Sequence, residues 1–246
     1  MKRSIKPVGD FRPQAPSLQS RTPHADSILT RLPEPYSSRL LVNAKPLLLS
    51  KGQALFRRGD PGDGCYWLQR GVLKIIITSP NGEERILAIL GPDSIVGELA
   101  MIDELPRSAT VEAISDCHLM FVSRVAFAAC LAEHPGIYGY LVSTLVSRLR
   151  LADEETAAAS FMTVKARVAR AFLQLARHLG QDMGSGQTLI AHKISQNDLA
   201  AMAGVARESV SRTLAEWRRN KVISQSSRSN YVIHQDKLKR EAQSQT

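Results

Sequence analysis

The sequence predicts an α+β protein arranged in series: a β-rich body, one long central helix, and a small helical end that is strongly basic. Three observations carry that expectation. From Pro46 to about Val122, short apolar runs alternate with glycines, the texture of many short strands joined by tight turns. After Ser123 the pattern becomes helical for about forty residues and contains an unbroken 3.5-residue apolar repeat. The charge is unevenly shared. Residues 1–35 hold six basic and three acidic side chains, residues 36–165 thirteen and fourteen, and residues 166–246 thirteen and six, so most of the net +9 sits at the C-terminal end. A near-neutral body followed by a basic module suggests a sensor joined to a polyanion binder.

Taken in order, residues 1–35 contain half of the twelve prolines, mixed with Ser, Arg and Gln without a period. They are expected to form a disordered arm. The body, residues 36–135, has candidate strands at Ala54–Phe56, Cys65–Leu68, Val72–Thr78, Arg85–Leu90, Thr110–Ala113 and His118–Val122. Asn81-Gly82 between two of them is a hairpin signal. These strands imply a sandwich, barrel or jelly roll.

The central helix is expected over residues 136–164. Tyr138, Val142, Leu145, Leu149, Ala152, Thr156 and Ala159 recur at alternating spacings of four and three, a seam that calls for a partner helix in a symmetric homodimer. The small residues at its C-terminal half allow close approach while burying little. A basic domain over 165–246 then opens with an amphipathic helix at Lys165–Leu179, a glycine-rich loop at residues 181–186 and a strand at Thr188–Ala191.

That domain reads as a winged helix-turn-helix. Ser195 is an N-cap with Asp198 three residues on. Ala203-Gly204-Val205 makes a turn, and Arg207–Arg219 forms a second helix with Val210, Leu214 and Trp217 facing inward. Arg207, Glu208, Ser211 and Arg212 stand on the opposite face near the helix N-terminus, where a recognition helix meets base edges. Arginine donates in pairs to guanine, and glutamate accepts from the cytosine amino group. The simpler alternative is an exposed Glu208–Arg212 ion pair, worth about 0.3–0.5 kcal/mol. Val222-Ile223 and Tyr231–Ile233 are candidate wing strands, with Arg228 at the tip to touch phosphate.

Residues 97–110, G-E-L-A-M-I-D-E-L-P-R-S-A-T, form a candidate anion cassette. A glycine before a short helical turn presents free amides, Arg107 offers a bidentate guanidinium and Ser108 a hydroxyl. Glu98 is either an acceptor for a ribose hydroxyl or the partner of Arg107 in an internal ion pair.

With R-R-G-D-P-G-D-G-C-Y-W-L-Q-R-G at Arg57–Gly71, the cassette, the long helix and the R-E-x-x-x-R helix, the chain resembles the cyclic AMP receptor protein branch of the CRP/FNR regulators from about Pro46 to Ile233. The resemblance implies a cyclic-nucleotide-binding jelly roll, a dimerising central helix and a winged helix-turn-helix. It places Glu98 on the ribose hydroxyl, Arg107 and Ser108 on the cyclic phosphate, and Gly97 and Leu99 in the backbone cradle. It implies base contacts from Arg207, Glu208 and Arg212 on TGTGA-like inverted repeats in double-stranded DNA, and RNA polymerase as a partner near the 181–187 loop. Two positions depart from the family. Ala152 and Asp153 stand where adjacent Thr and Ser read the adenine, so the effector is cyclic AMP or cyclic GMP. Asp153 is either a base-reading carboxylate or a solvated charge in Asp153-Glu154-Glu155. Ser211 is similar to the FNR branch and suggests a blended half-site.

Other classes find less support in the residues. The longest uncharged run, Pro135–Ser147, has thirteen residues, short of the roughly 20 needed to span a bilayer. The first thirty residues hold no apolar core of a secretory signal. Cys65, Cys117 and Cys130 predict a reduced, cytoplasmic chain without a metal site. The arm has no cysteine cluster for an iron–sulfur centre. Neither a nucleophile–base set nor metal spacing points to an enzyme. The remaining alternative is a regulator of the same fold that works without a nucleotide or answers another effector such as cyclic di-GMP.

Overall fold

Alternating apolar residues build the body. In the computed structural model, which describes residues 40–41, 43–192, 194–227 and 230–244, strands β1 (Lys45–Leu49), β3 (Gly64–Arg70), β6 (Ile95–Val96) and β8 (Cys117–Ser123) form one antiparallel sheet in the order β1-β8-β3-β6. Strands β2 (Ala54–Phe56), β4 (Leu73–Thr78), β5 (Glu84–Leu90) and β7 (Thr110–Ala113) form a second, ordered β2-β7-β4-β5. Leu68, Leu73, Val96, Val111, Ala113 and Leu119 are buried together in one core cluster of this body. Asn81-Gly82 closes the β4–β5 hairpin, with Ser79 N–H donating to Glu83 O at 2.8 Å. All six candidate strands are present. β1 and the two-residue β6 are additional.

The helical stretch after Ser123 is two helices. Ser123 caps α2 (Arg124–Glu133), and α3 (Ile137–Phe161) starts afresh beyond Pro135. Proline lacks the amide donor a continuous helix needs. Short α1 (Leu99–Ile102) lies in the cassette. Ile137 and Leu141 of α3 bury against β3, β6 and α2 residues, whereas Tyr138, Val142 and Leu149 on another face are 54%, 57% and 62% exposed. Leu145 is half-buried, and Ala152, Thr156 and Ala159 are exposed.

Beyond α3 come α4 (Val164–Leu179), β9 (Gly180–Gly184), β10 (Gln187–Ile190), α5 (Gln196–Ala203), α6 (Arg207–Arg219), β11 (Ile223–Ser227), β12 (Asn230–His234) and α7 (Gln235–Ala242). The expected 181–186 loop is thus mostly strand β9, which pairs with β10 in the sheet β11-β12-β10-β9. Its polar, glycine-rich residues carry no strand pattern, and the neighbouring strand supplies the hydrogen bonds. The expected arm, residues 1–35, lies outside the described residues. No described helix is long and apolar enough to cross a membrane.

Candidate effector and DNA sites

Arg107 is charged yet only 3% exposed, so its guanidinium needs partners. Its Nη1 donates to Gly97 O at 2.8 Å, and Nη2 donates to Gly64 O at 2.7 Å and to Asp63 Oδ1 at 3.1 Å. The guanidinium carbon lies 4.3 Å from the Phe56 ring centroid. Nε is buried and has no acceptor among the described residues. A guanidinium fixed by two carbonyls and one carboxylate, with two of its five donors left over, Nε–H among them, can still take an anionic oxygen. Gly97 makes the geometry: its φ is +86°, and a Cβ there would meet Arg107 Nη1 at 2.5 Å. Leu99, at the start of α1, is 37% exposed, and Ser108 is exposed beside Arg107.

Glu98 is 2% exposed and pairs with Arg148 of α3, not with Arg107. Arg148 Nη2 also donates to Ile95 O at 3.2 Å. The cassette is thereby tied to the central helix. Burial, and then the nearby Glu98 charge, push the Cys65 thiol up to about 12. Arg124 Nη2 donates to Gly62 O at 2.7 Å and Ala100 O at 2.9 Å, joining the Arg57–Gly71 segment to α1. The structure does not bring Asp153 to this cluster within one chain. It is exposed and lies five residues past Arg148, about 140° around the helix.

In the C-terminal domain the Ser195 capping box forms as expected, with Asp198 N–H donating to Ser195 Oγ and Ser195 N–H to Asp198 Oδ2, both at 3.0 Å. Gly204 ends α5 at φ +60°. Val210, Leu214 and Trp217 are fully buried, and α6 leaves Arg207, Glu208, Ser211 and Arg212 exposed along one surface. Arg212 Nη2 donates to Ser209 Oγ at 3.4 Å. β11 and β12 form the wing. Arg228 lies outside the described residues.

Residues 46–134 match the model of the cyclic nucleotide-binding domain, and residues 166–241 that of the Crp-like helix-turn-helix domain. Over 198 residues the chain is 31% identical to the CRP-like cAMP-activated global transcriptional regulator of Mycobacterium tuberculosis, covering 80% of this chain and 88% of that protein. The chain belongs to the CRP/FNR family of transcription regulators. The cyclic AMP receptor protein of Thermus thermophilus is 36% identical over 167 residues, 68% of this chain and 74% of that one. The c-di-GMP responsive regulator CLP of Xanthomonas campestris shares the CRP/FNR fold with a TM-score of 0.70 at 20% identity, over 81% of this chain and 97% of that one.

Within this CRP/FNR chain, sequence reasoning missed Asp63, Gly64, Arg124 and Arg148. Arg148 was detectable as a cation, with Arg150, beside an otherwise uncharged stretch of the apolar seam. Asp63 and Gly64 lie within the Arg57–Gly71 string but act through a loop carboxylate and a chain carbonyl, and Arg124 opens α2 with nothing in its local pattern to mark its reach to Gly62 and Ala100.

Proposed function

We propose that this regulator is a homodimer whose affinity for double-stranded DNA is set by a cyclic nucleotide, cyclic AMP or cyclic GMP, bound in the 97–110 cassette. The observation that carries the reading is Arg107: a buried guanidinium held by two carbonyl oxygens and Asp63, with its Nε free of any acceptor among the described residues. The cyclic phosphate would accept from Arg107 and Ser108, with the Gly97–Leu99 backbone as cradle. The ribose hydroxyl would donate to Glu98, whose ion pair with Arg148 carries the event into α3. The exposed Tyr138–Ala159 stripe is the seam for the second copy. Repacking there would turn the two α6 helices so that Arg207, Glu208, Ser211 and Arg212 enter successive major grooves of a TGTGA-like inverted repeat, about 34 Å between half-site centres. Arg228 would touch phosphate, and the β9–β10 hairpin would meet RNA polymerase in the cytoplasm.

The base remains the finer question, and Asp153 is the residue in favour of guanine, since a carboxylate accepts from both N1–H and N2–H. Calorimetric titration of the full chain with cyclic AMP, cyclic GMP and cyclic di-GMP decides it, alongside anisotropy of a labelled TGTGA-type duplex. One cyclic mononucleotide should bind, raise DNA affinity, and lose at least 100-fold in affinity in Arg107→Ala. Unchanged binding by Arg107→Ala, or a response to cyclic di-GMP alone, overturns the assignment.

A further inference from the structure

Helix α5, the first of the helix-turn-helix pair, lies along sensor strand β5, and side chains from the sensor sheet reach both of its ends. At the N-terminal end, Lys74 Nζ on β4 is 3.9 Å from Asp198 Oδ1, while Asp198 Oδ2 closes the capping box on Ser195. At the C-terminal end, the Arg85 guanidinium of β5 takes the space a Cβ at Gly204 would fill, over a C-cap whose Ala203 and Gly204 carbonyls accept from Arg167 of α4. The spans are compatible: Lys74 pairs in register with Ile89, from Arg85 to Ile89 the strand advances about 13 Å, and from Asp198 to Gly204 α5 advances about 9 Å, a difference the two long side chains cover. The signs match as well, since a cation at a helix C-terminus meets the negative end of the dipole and the Lys74 ammonium meets a carboxylate.

Between these ends the packing is open. Ile86 and Ile89 join the core of the C-terminal domain, yet a cavity of about 260 Å³ lies in the seam, lined among others by Lys74, Ile86, Ile89, Glu112, Asp198 and Met202. The apolar contact therefore leaves the register of α5 to its two ends. Lys74 is shared: Glu112 Oε1 is nearer, at 3.1 Å. Glu112 sits on β7, five residues after Arg107, so the strand that leaves the cassette also holds the ammonium that reaches Asp198.

Resting on the functional reading above, we propose that Lys74 and Arg85 are positioning residues that seat the DNA-reading helix pair on the sensor and transmit the state of the cassette through Glu112. In the seated arrangement the Arg207–Arg212 face is exposed on the single chain, as DNA binding requires. The test is the ratio of DNA affinities with and without saturating effector, measured by anisotropy on the full-length chain. Lys74→Met and Arg85→Met should each lower that ratio at least tenfold while effector affinity without DNA stays within threefold of the parent. Lys74→Arg, which keeps the charge, should restore the ratio. Urea unfolding of each variant separates this from simple destabilisation, which would not be rescued selectively by charge. A ratio within threefold of the parent in both methionine variants overturns the seating while leaving the functional reading intact. A parent chain that binds no nucleotide, or shows no coupling, overturns both.

Discussion

Replacing Gly97 with alanine probes the construction of the cassette at one atom. The left-handed backbone at φ +86° costs an alanine about 1–2 kcal/mol. The new methyl would lie 2.5 Å from Arg107 Nη1 and 3.3 Å from both Arg107 Cζ and the Phe56 ring. Ordinary contact needs about 3.5 Å, so the guanidinium must retreat by about 1 Å. Retreat strains the donations to Gly97 O and Gly64 O, and a hydrogen bond from a charged group contributes about 1.5–3 kcal/mol. Losing one of the two brings the expected total to about 2.5–5 kcal/mol of folding stability. A displaced Arg107 should also weaken effector binding by 10- to 100-fold. Urea unfolding and calorimetry read the two effects. A double-mutant cycle separates them: in an Arg107→Ala background, Gly97→Ala should cost only the backbone part, about 1–2 kcal/mol. Equal losses in both backgrounds would refute the claim that Gly97 is small because Arg107 lies over it.

Three further outcomes follow from the same geometry. Leu149→Arg should sediment as a monomer at micromolar concentration with near-parental stability, because the site is 62% exposed in the single chain; a stable dimer would remove the seam. Trp217→Ala, at a fully buried position between α6 and Phe172, should cost about 3–5 kcal/mol and melt the DNA-binding domain, as read by urea unfolding. The Cys65 thiol is held protonated by burial up to about 12, while the unfolded thiol releases its proton near 9.0. The folded state thus binds more protons in that window, and stability should fall as pH rises from 9 to 12, by up to about 1.4 kcal/mol per unit. Cys65→Ala should flatten the slope; an unchanged slope would place the alkaline sensitivity elsewhere.

Much of the fold is written in short stretches of chain. The α6 spacing of Val210, Leu214 and Trp217 predicts the buried face that the structure shows, because helical periodicity needs no distant partner. The Ser195–Asp198 box and the Asn81-Gly82 turn are equally local, each closed by atoms within a few residues. The break at Pro135 was also legible, since a proline there forbids the single helix that the apolar spacing alone suggests. The cassette string suggests an anion seat without showing its walls.

Those walls belong to tertiary structure. Arg107 and Gly64 are 43 positions apart, Arg148 and Glu98 are 50, and Lys74 meets Asp198 across more than half the described chain. β9 is a strand only because β10 lies beside it. The sequence by itself determined where strands and helices form and which residue types cluster in the cassette and on α6, because those depend on local period and turn chemistry. Which carbonyls hold Arg107, which cation neutralises Glu98 and which side chains lie against α5 were decided by the folded structure. Burying a charge or a polar backbone forces a partner, and only the packed topology decides which distant group is within reach.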